Sequence, residues 1–167
     1  MGLRPSKERF IMRTNKRAAG IIIKDKKTLV FKRLKNGRWY HAFVGGGVEE
    51  NETPKKAVLR EIKEEICVNV KECKFLFMVE TKPDTDYLFN LEKAPNKTNR
   101  YSPYQYFYLV TKFDGIPELG DAEKERSSKN NQYLLKWIPL SEIEKMTDLY
   151  PIEAKDKLVD FIKANKL

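Results

Sequence analysis

Residues 45–68, GGGVEENETPKKAVLREIKEEICV, constrain this chain more tightly than any other stretch. Thr53 is a good helix N-cap and Pro54 suits the first helical position. Residues 55–66 contain no Gly or Pro and mostly strong helix formers, so a helix is predicted there. Each helical residue advances about 100°, which places Val58, Leu59, Ile62 and Ile66 on one arc that can pack on a core. Lys56, Arg60 and Lys63 fill a second sector, and Glu61, Glu64 and Glu65 a third. A glycine triplet, Gly45-Gly46-Gly47, lies just upstream.

A charged helix face usually only meets water, but that reading fits poorly here. Glu61 and Glu65 are an i,i+4 like-charge pair with Glu64 beside them, an arrangement that costs roughly 0.2–0.5 kcal/mol per pair unless a cation intervenes. Converging carboxylates suit Mg²⁺ or Mn²⁺, hard ions that take oxygen ligands and complete their shells with water and substrate phosphate. Glycines without side chains let the backbone turn tightly and approach an ion or phosphate, so Gly45, Gly46 and Gly47 are candidate ligand or substrate contacts. An ordinary turn is the plainer reading of the triplet, and its spacing to the glutamates favours the site.

The stretch resembles the signature of the Nudix hydrolases: Gly, five residues, Glu, seven residues, then Arg-Glu-apolar-any-Glu-Glu-any-Gly-apolar. Gly46, Glu52, Arg60, Glu61, Ile62, Glu64, Glu65 and Val68 match, eight of nine specified positions over 23 residues, and Cys67 stands where the pattern has its last glycine. The resemblance implies that Gly46 lends a carbonyl to a metal and that Glu61, Glu64 and Glu65 bind metal or activate water. It also implies that Arg60, paired with Glu52, orients a glutamate. A residue after the last helical turn often adopts the left-handed conformation that glycine prefers, so Cys67 is expected to strain the helix exit and to leave the ligand set intact. The implied fold is α+β, a Nudix-type α/β/α sandwich around a mixed sheet, formed as a single domain over residues 1–167.

Charge is polarised along the chain. Residues 1–38 hold thirteen Lys or Arg against Glu8 and Asp25, a net +11, so the remainder of this +9 chain sums to −2. A basic third beside an acidic metal site suits a polyanion that needs both steering and a bridging cation; solubility charge and an RNA-binding surface are the alternatives. No apolar run is long enough to span a bilayer and no signal-peptide core appears. A reduced, cytoplasmic protein without a membrane partner is therefore expected. Met1-Gly2 with Ser6 fits a loose acylation pattern that specifies too little to change this. Cys67 and Cys73 lack metal-site spacing and read as packed thiols.

Residues 17–23 and 28–34 are strand-like around a turn at 24–27, and residues 10–13 can extend the first strand. Arg33, at the exit of the second strand, matches by resemblance an arginine that meets substrate phosphate. Tyr40 and Phe43, just before the glycines, either pack in the core or offer a ring to a base. His41, the only histidine, is expected to be structural. Residues 68–81 read as one long strand or a bent pair, and 83–103 as a polar segment around Tyr87-Leu88-Phe89, expected to be a substrate-side flap. Residues 104–113 form a strand, 115–131 a polar loop, and 133–138 a last strand. A short helix follows to Met146, and a final one runs from Pro151 to Asn165, packing on Leu158, Phe161 and Ile162. Many members of the family take a further glutamate from the region of that loop; Glu123 is the choice here, with Glu125 next.

The leading expectation is a metal-dependent hydrolase, using Mg²⁺ or Mn²⁺, that cuts a diphosphate linkage in a nucleotide-like substrate by water attack. No Ser/His/Asp or Cys/His set offers a covalent nucleophile. A nucleotide-sensing module without catalysis and a protein acting on capped or 5′-triphosphate RNA are the rivals. RNA is the less favoured partner, and the chain is expected to be a monomer or homodimer.

Overall fold

The computed structural model describes residues 13–82 and 102–167. Three strands come first: β1 (Arg13–Lys24), β2 (Lys27–Lys35) and β3 (Arg38–Glu49). Asp25 and Lys26 both take positive φ, 51° and 57°, and Asn36 and Gly37 take 50° and 75°. These two-residue turns match the right-handed twist of the strands they join. Helix α1 (Pro54–Ile66) follows, then β4 (Asn69–Glu80), β5 (Tyr104–Asp114), α2 (Asp121–Arg126) and β6 (Asn131–Pro139). A 3₁₀ turn (Leu140–Lys145), β7 (Leu149–Tyr150) and α3 (Ile152–Ala164) complete the chain.

The described strands form one seven-stranded mixed sheet in the order β4-β5-β1-β2-β3-β7, with β6 paired to the free side of β2. Strand β3 changes partner midway. Residues 38–43 pair with β2, whereas Val44, Gly45, Gly46 and Gly47 pair with Gly20, Ala19, Ala18 and Arg17 of β1. The sheet opens where the partner changes, and the glycines line that opening.

Strand alternation sorts the core into two layers. Ala18, Ile22, Val44 and Val48 face α1 and meet its Ala57, Val58, Ile62 and Ile66. Ala19, Ile21, Val30 and Phe43 face the other way and meet Ala154, Leu158 and Ile162 of α3. The expected α/β/α sandwich is therefore present. Leu59 and Phe161 sit at the margins of their helices' packing faces, only partly buried.

Several expectations change in detail. The glycine triplet lies inside a strand; it is not a turn. The stretch 115–131 holds helix α2, and the predicted helix up to Met146 is a 3₁₀ turn. Residues 68–81 give one strand, bent by three irregularities in its register with β5. Of the flap expected at 83–103, residues 83–101 lie outside the described residues, as do residues 10–12 and the acylation pattern. No helix among the described residues is long and apolar enough to cross a membrane.

Candidate active site

Helix α1 starts as its sequence dictates. The Thr53 hydroxyl accepts from the Lys56 N–H at 3.2 Å, and Pro54 opens the first turn. It ends at Cys67 with φ 59° and ψ 29°, the left-handed conformation expected of the missing glycine.

Arg60 organises the polar side of this helix. Its Nε and Nη2 donate to the two carboxylate oxygens of Glu52 at 2.8 and 2.9 Å, and Nη2 also donates to the Gly47 carbonyl at 3.1 Å. Nη1 donates to Glu61 at 2.8 Å and to Glu64 at 3.4 Å. The paired guanidinium holds the Glu52 carboxyl below its ordinary range and pushes Arg60 further toward permanent charge. One arginine thus ties the loop after β3 to the acids of α1.

Glu65 points inward and accepts the Gly45 N–H at 3.0 Å. Burial raises its carboxyl well above the ordinary range, with the neighbouring charge of Glu61 acting in the same direction. Arg17, which donates to the Gly45 carbonyl at 3.3 Å, opposes that shift. Gly46 explains itself by proximity: a Cβ there would stand 2.5 Å from the carboxylate carbon of Glu61. Glu64 reaches outward and is 61% exposed.

Helix α2 brings a further acid. Its Glu123 is 6% exposed, and Oε2 is buried with no hydrogen-bond partner. Glu125, the second choice from sequence, is exposed and does not line the cavity.

These groups border a cavity of about 450 Å³. One wall carries Glu61, Glu64, Glu65 and Glu123; Arg17, Arg33 and Arg126 also face it, together with Glu49 and Tyr133. Arg33 is held on two sides. Its guanidinium lies 3.7 Å from the centre of the Tyr133 ring, and Nη2 donates to Asn131 Oδ1 at 2.9 Å. The Asn131 amide in turn donates to the Arg126 carbonyl at 3.0 Å.

Two expected base contacts are corrected. Tyr40 is 1% exposed, edge-on to Tyr150, and Phe43 is 3% exposed, edge-on to Phe107. Neither ring lines the cavity, and close packing leaves no face for a base. The aromatic that does line it, Tyr133, was not singled out from sequence. Arg17, Arg126, Asn131 and Glu49 were missed as well, because their meeting depends on strand pairing across distant segments. His41 is structural as expected, its Nδ1 lying 3.0 Å from Asp148 Oδ1.

Among the described residues, no three His, Cys, Asp or Glu side chains stand in a ready coordinating cluster. Arg60 draws Glu61 and Glu64 toward itself. The donors present nevertheless fit a hard divalent cation: they are all oxygen, the charge of Glu61 adds to the burial that disfavours an ionised Glu65, and Glu123 keeps a buried oxygen unpartnered.

Comparison with known proteins bears on the family and the fold. The NUDIX domain model matches residues 14–157. An 8-oxo-dGTP diphosphatase of Proteus vulgaris is 45% identical over 65 residues, 35% of this chain and 55% of that protein. An RNA pyrophosphohydrolase of Hydrogenovibrio crunogenus is 53% identical over 49 residues, 28% of each. The matches thus span about half of the first relative and about a quarter of the second. Among solved structures, one from a study of MutT of Aliivibrio salmonicida and Vibrio cholerae superposes with a TM-score of 0.58 at 25% identity, covering 89% of this chain and 96% of that one. The MutT protein of Methanosarcina mazei Go1 gives 0.64 at 17% identity over 91% and 95%, a likeness of fold.

Proposed function

The chain belongs to the NUDIX family, and from that premise we propose that it hydrolyses a diphosphate linkage in a nucleoside triphosphate, with Mg²⁺ or Mn²⁺ as cofactor. Members of the family generally use divalent metals. The observation that carries the reading is the two-signed cavity. Acids on α1 and α2 suit a cation, and Arg17, Arg33 and Arg126 suit the anionic chain that the cation would bridge.

Glu61, Glu64, Glu65 and Glu123, with the Gly46 carbonyl, would hold the metal. When bound, it would neutralise phosphate charge and acidify a water. The remaining work falls to the chain. Arg60 fixes Glu52 and restrains Glu61, and Gly46 leaves the Glu61 carboxylate room to sit against β3. Glu65, buried and accepting the Gly45 N–H, is the acid whose charge a bound cation would relieve most, since burial and Glu61 both disfavour its ionised form. Arg33, steadied by Asn131 and Tyr133, presents its charge to phosphate oxygens. The similarity to an 8-oxo-dGTP diphosphatase supports a nucleoside triphosphate substrate.

A second reading, hydrolysis at the 5′-triphosphate end of RNA, is favoured by the similarity to an RNA pyrophosphohydrolase and by the basic N-terminal third. A hydrolysis panel decides between them: nucleoside triphosphates, oxidised triphosphates, ADP-ribose, dinucleoside polyphosphates, and capped and triphosphorylated RNA, each with Mg²⁺ and Mn²⁺. Turnover of free triphosphates well above triphosphorylated RNA is expected. Preference for the RNA end selects the second reading, and no turnover of any compound by folded protein refutes both in favour of a sensing role.

A further inference from the structure

At the other end of the sheet lies a second cavity of about 270 Å³, which shares no lining residue with the first. Along β2 its Lys27 stands about 20 Å from Arg33 in an extended strand. One wall is the α1 side of the sheet. Ile22 and Leu29 pair across β1 and β2 and pack beneath α1, so Lys24 and Lys27, two positions along each strand, pair with each other on that same side. Trp137 of β6 pairs with Leu29 and packs on this layer too. The remaining wall is Gly115-Ile116-Pro117, the segment that leaves β5.

Donors collect there without acceptors. Like charges directly opposite on paired strands repel, and among the described residues neither Lys24 nor Lys27 has an acid within ion-pair distance. The Lys24 ammonium sits 5.9 Å from the centre of the Phe113 ring. The Trp137 indole N–H likewise donates to nothing among the described residues. Asp25, in the turn between the lysines, is the one acid among the described residues that line the cavity. Asp114, at the end of β5, is taken by Lys71 at 3.0 Å. At the rim, Ile116 is 88% exposed.

From this we propose that the cavity binds a small aromatic anion, and that its occupancy steadies helix α2 from outside the catalytic cavity. The anionic head takes the charge of Lys24 and Lys27, and the flat body lies against Trp137 under Ile116 and Pro117. A neutral ring would leave the lysine pair unanswered, and a bare ion would leave the indole and Ile116 in water. The coupling runs along the chain. Gly115, at φ 105°, packs against the Cys67 carbonyl, and the N–H groups of Glu118 and Gly120 close on the carbonyls of Ile66 and Glu65 at 3.1 and 2.9 Å. Helix α2, with Glu123, starts directly afterwards. A ligand that holds residues 115–117 therefore acts on the bonds that seat α2. The proposal does not depend on which substrate the catalytic cavity takes.

The chain has two tryptophans, Trp39 and Trp137, so Trp39→Phe leaves a single indole N–H resonance that reports on this cavity. Naphthoate should shift that resonance saturably, whereas the neutral naphthalenemethanol and inorganic phosphate should each bind about tenfold more weakly or less. Lys24→Gln and Lys27→Gln should each weaken naphthoate binding roughly 2- to 5-fold, and Ile116→Ser should weaken it too. At saturation the Glu118 and Gly120 amides should exchange hydrogen at least about twofold more slowly. A non-hydrolysable triphosphate analogue should not displace the naphthoate. Equal binding of the alcohol or of phosphate alone, or unchanged affinity in both lysine variants, would overturn the site. Displacement by the triphosphate analogue would place the probe in the catalytic cavity and overturn it as well. Unchanged amide exchange at saturation would overturn the action on α2.

Discussion

Adding one methyl group to either of two adjacent glycines should damage the protein in different ways. At Gly46 an added Cβ would lie 2.5 Å from the carboxylate carbon of Glu61 and 2.5 and 2.7 Å from its oxygens. Ordinary carbon contacts need about 3.5 Å, so the carboxylate must withdraw by roughly 1 Å. The obstacle is the end of a flexible side chain. What the fold loses is mainly the 2.8 Å bond from Arg60 to a partly exposed acid, worth at most about 1 kcal/mol. A displacement of about 1 Å at a reacting centre costs on the order of 100-fold in rate. Gly46→Ala should therefore stay folded, with a midpoint lower by only about 2–4 °C, and lose about two orders of magnitude in turnover. At Gly45 the same methyl would meet the Ala18 carbonyl oxygen, and would stand 2.5 Å from Ala19 Cα. That obstacle is the backbone of β1, so the strands must part, at about 3 kcal/mol or more. Urea titration measures the first quantity, and turnover at saturating Mg²⁺ the second. Wild-type turnover by Gly46→Ala, or equal stability losses in the two variants, would refute the reasoning.

Three further outcomes are expected. Cys67→Gly should gain up to about 1 kcal/mol, since relief of a left-handed residue, about 1–2 kcal/mol, exceeds the added glycine entropy of about 0.4–1 kcal/mol; a loss above about 2 kcal/mol by denaturant titration overturns that reading of the helix exit. Metal-free protein binds the Glu65 proton more tightly folded than unfolded, so the stability tied to this group is present below the ordinary carboxylate range and lost as pH rises through the raised value. Melting with and without Mg²⁺ should accordingly show stabilisation by metal growing as pH rises above the ordinary carboxylate range, with Glu65→Gln flattening the metal-free trend; a pH-independent increment rejects it. Asn131→Ala releases Arg33 and should raise KM for a triphosphate about tenfold with kcat changed much less, whereas an equal fall in kcat at constant KM would mean that Asn131 is not a substrate-side support.

The acidic half of the site was legible because it is local. Helical period alone places Glu61, Glu64 and Glu65 on one sector, and Thr53, Pro54 and Cys67 mark both ends of that helix. The basic half was not. Arg17, Arg33 and Arg126 come from β1, β2 and α2, and only the partner change within β3 opens a cavity among them. Parity explains the exchange of Tyr40 and Phe43 for Tyr133: alternation says that neighbouring residues differ in face, but not which face is sealed. Tyr40 lies on the Arg33 side and Phe43 on the α3 side, and both are buried. A turn stayed open for the glycine triplet beside the site reading because sequence shows small residues without showing what crowds them.

Helix α2 was missed for a related reason that also bears on Glu123. It has only six residues and no side-chain bond at its N-cap, Gly120, so it lacks the usual start signal. Its position is set from outside, by the end of α1. The Cys67 N–H satisfies the Lys63 carbonyl and the chain then turns away in the left-handed conformation. The carbonyls of Glu65 and Ile66 remain open to the N–H groups of Gly120 and Glu118, at 2.9 and 3.1 Å. Any side chain at residue 120 would run into the Glu64 carbonyl oxygen, so the contact can close only on glycine. Glu123 follows one turn later and is therefore brought to the side of α1 that carries Glu65, with its unpartnered oxygen buried there. The capping of one helix thus places an acid of the next, and the departure at Cys67 leaves the site intact because the backbone still makes the turn, at a cost in strain.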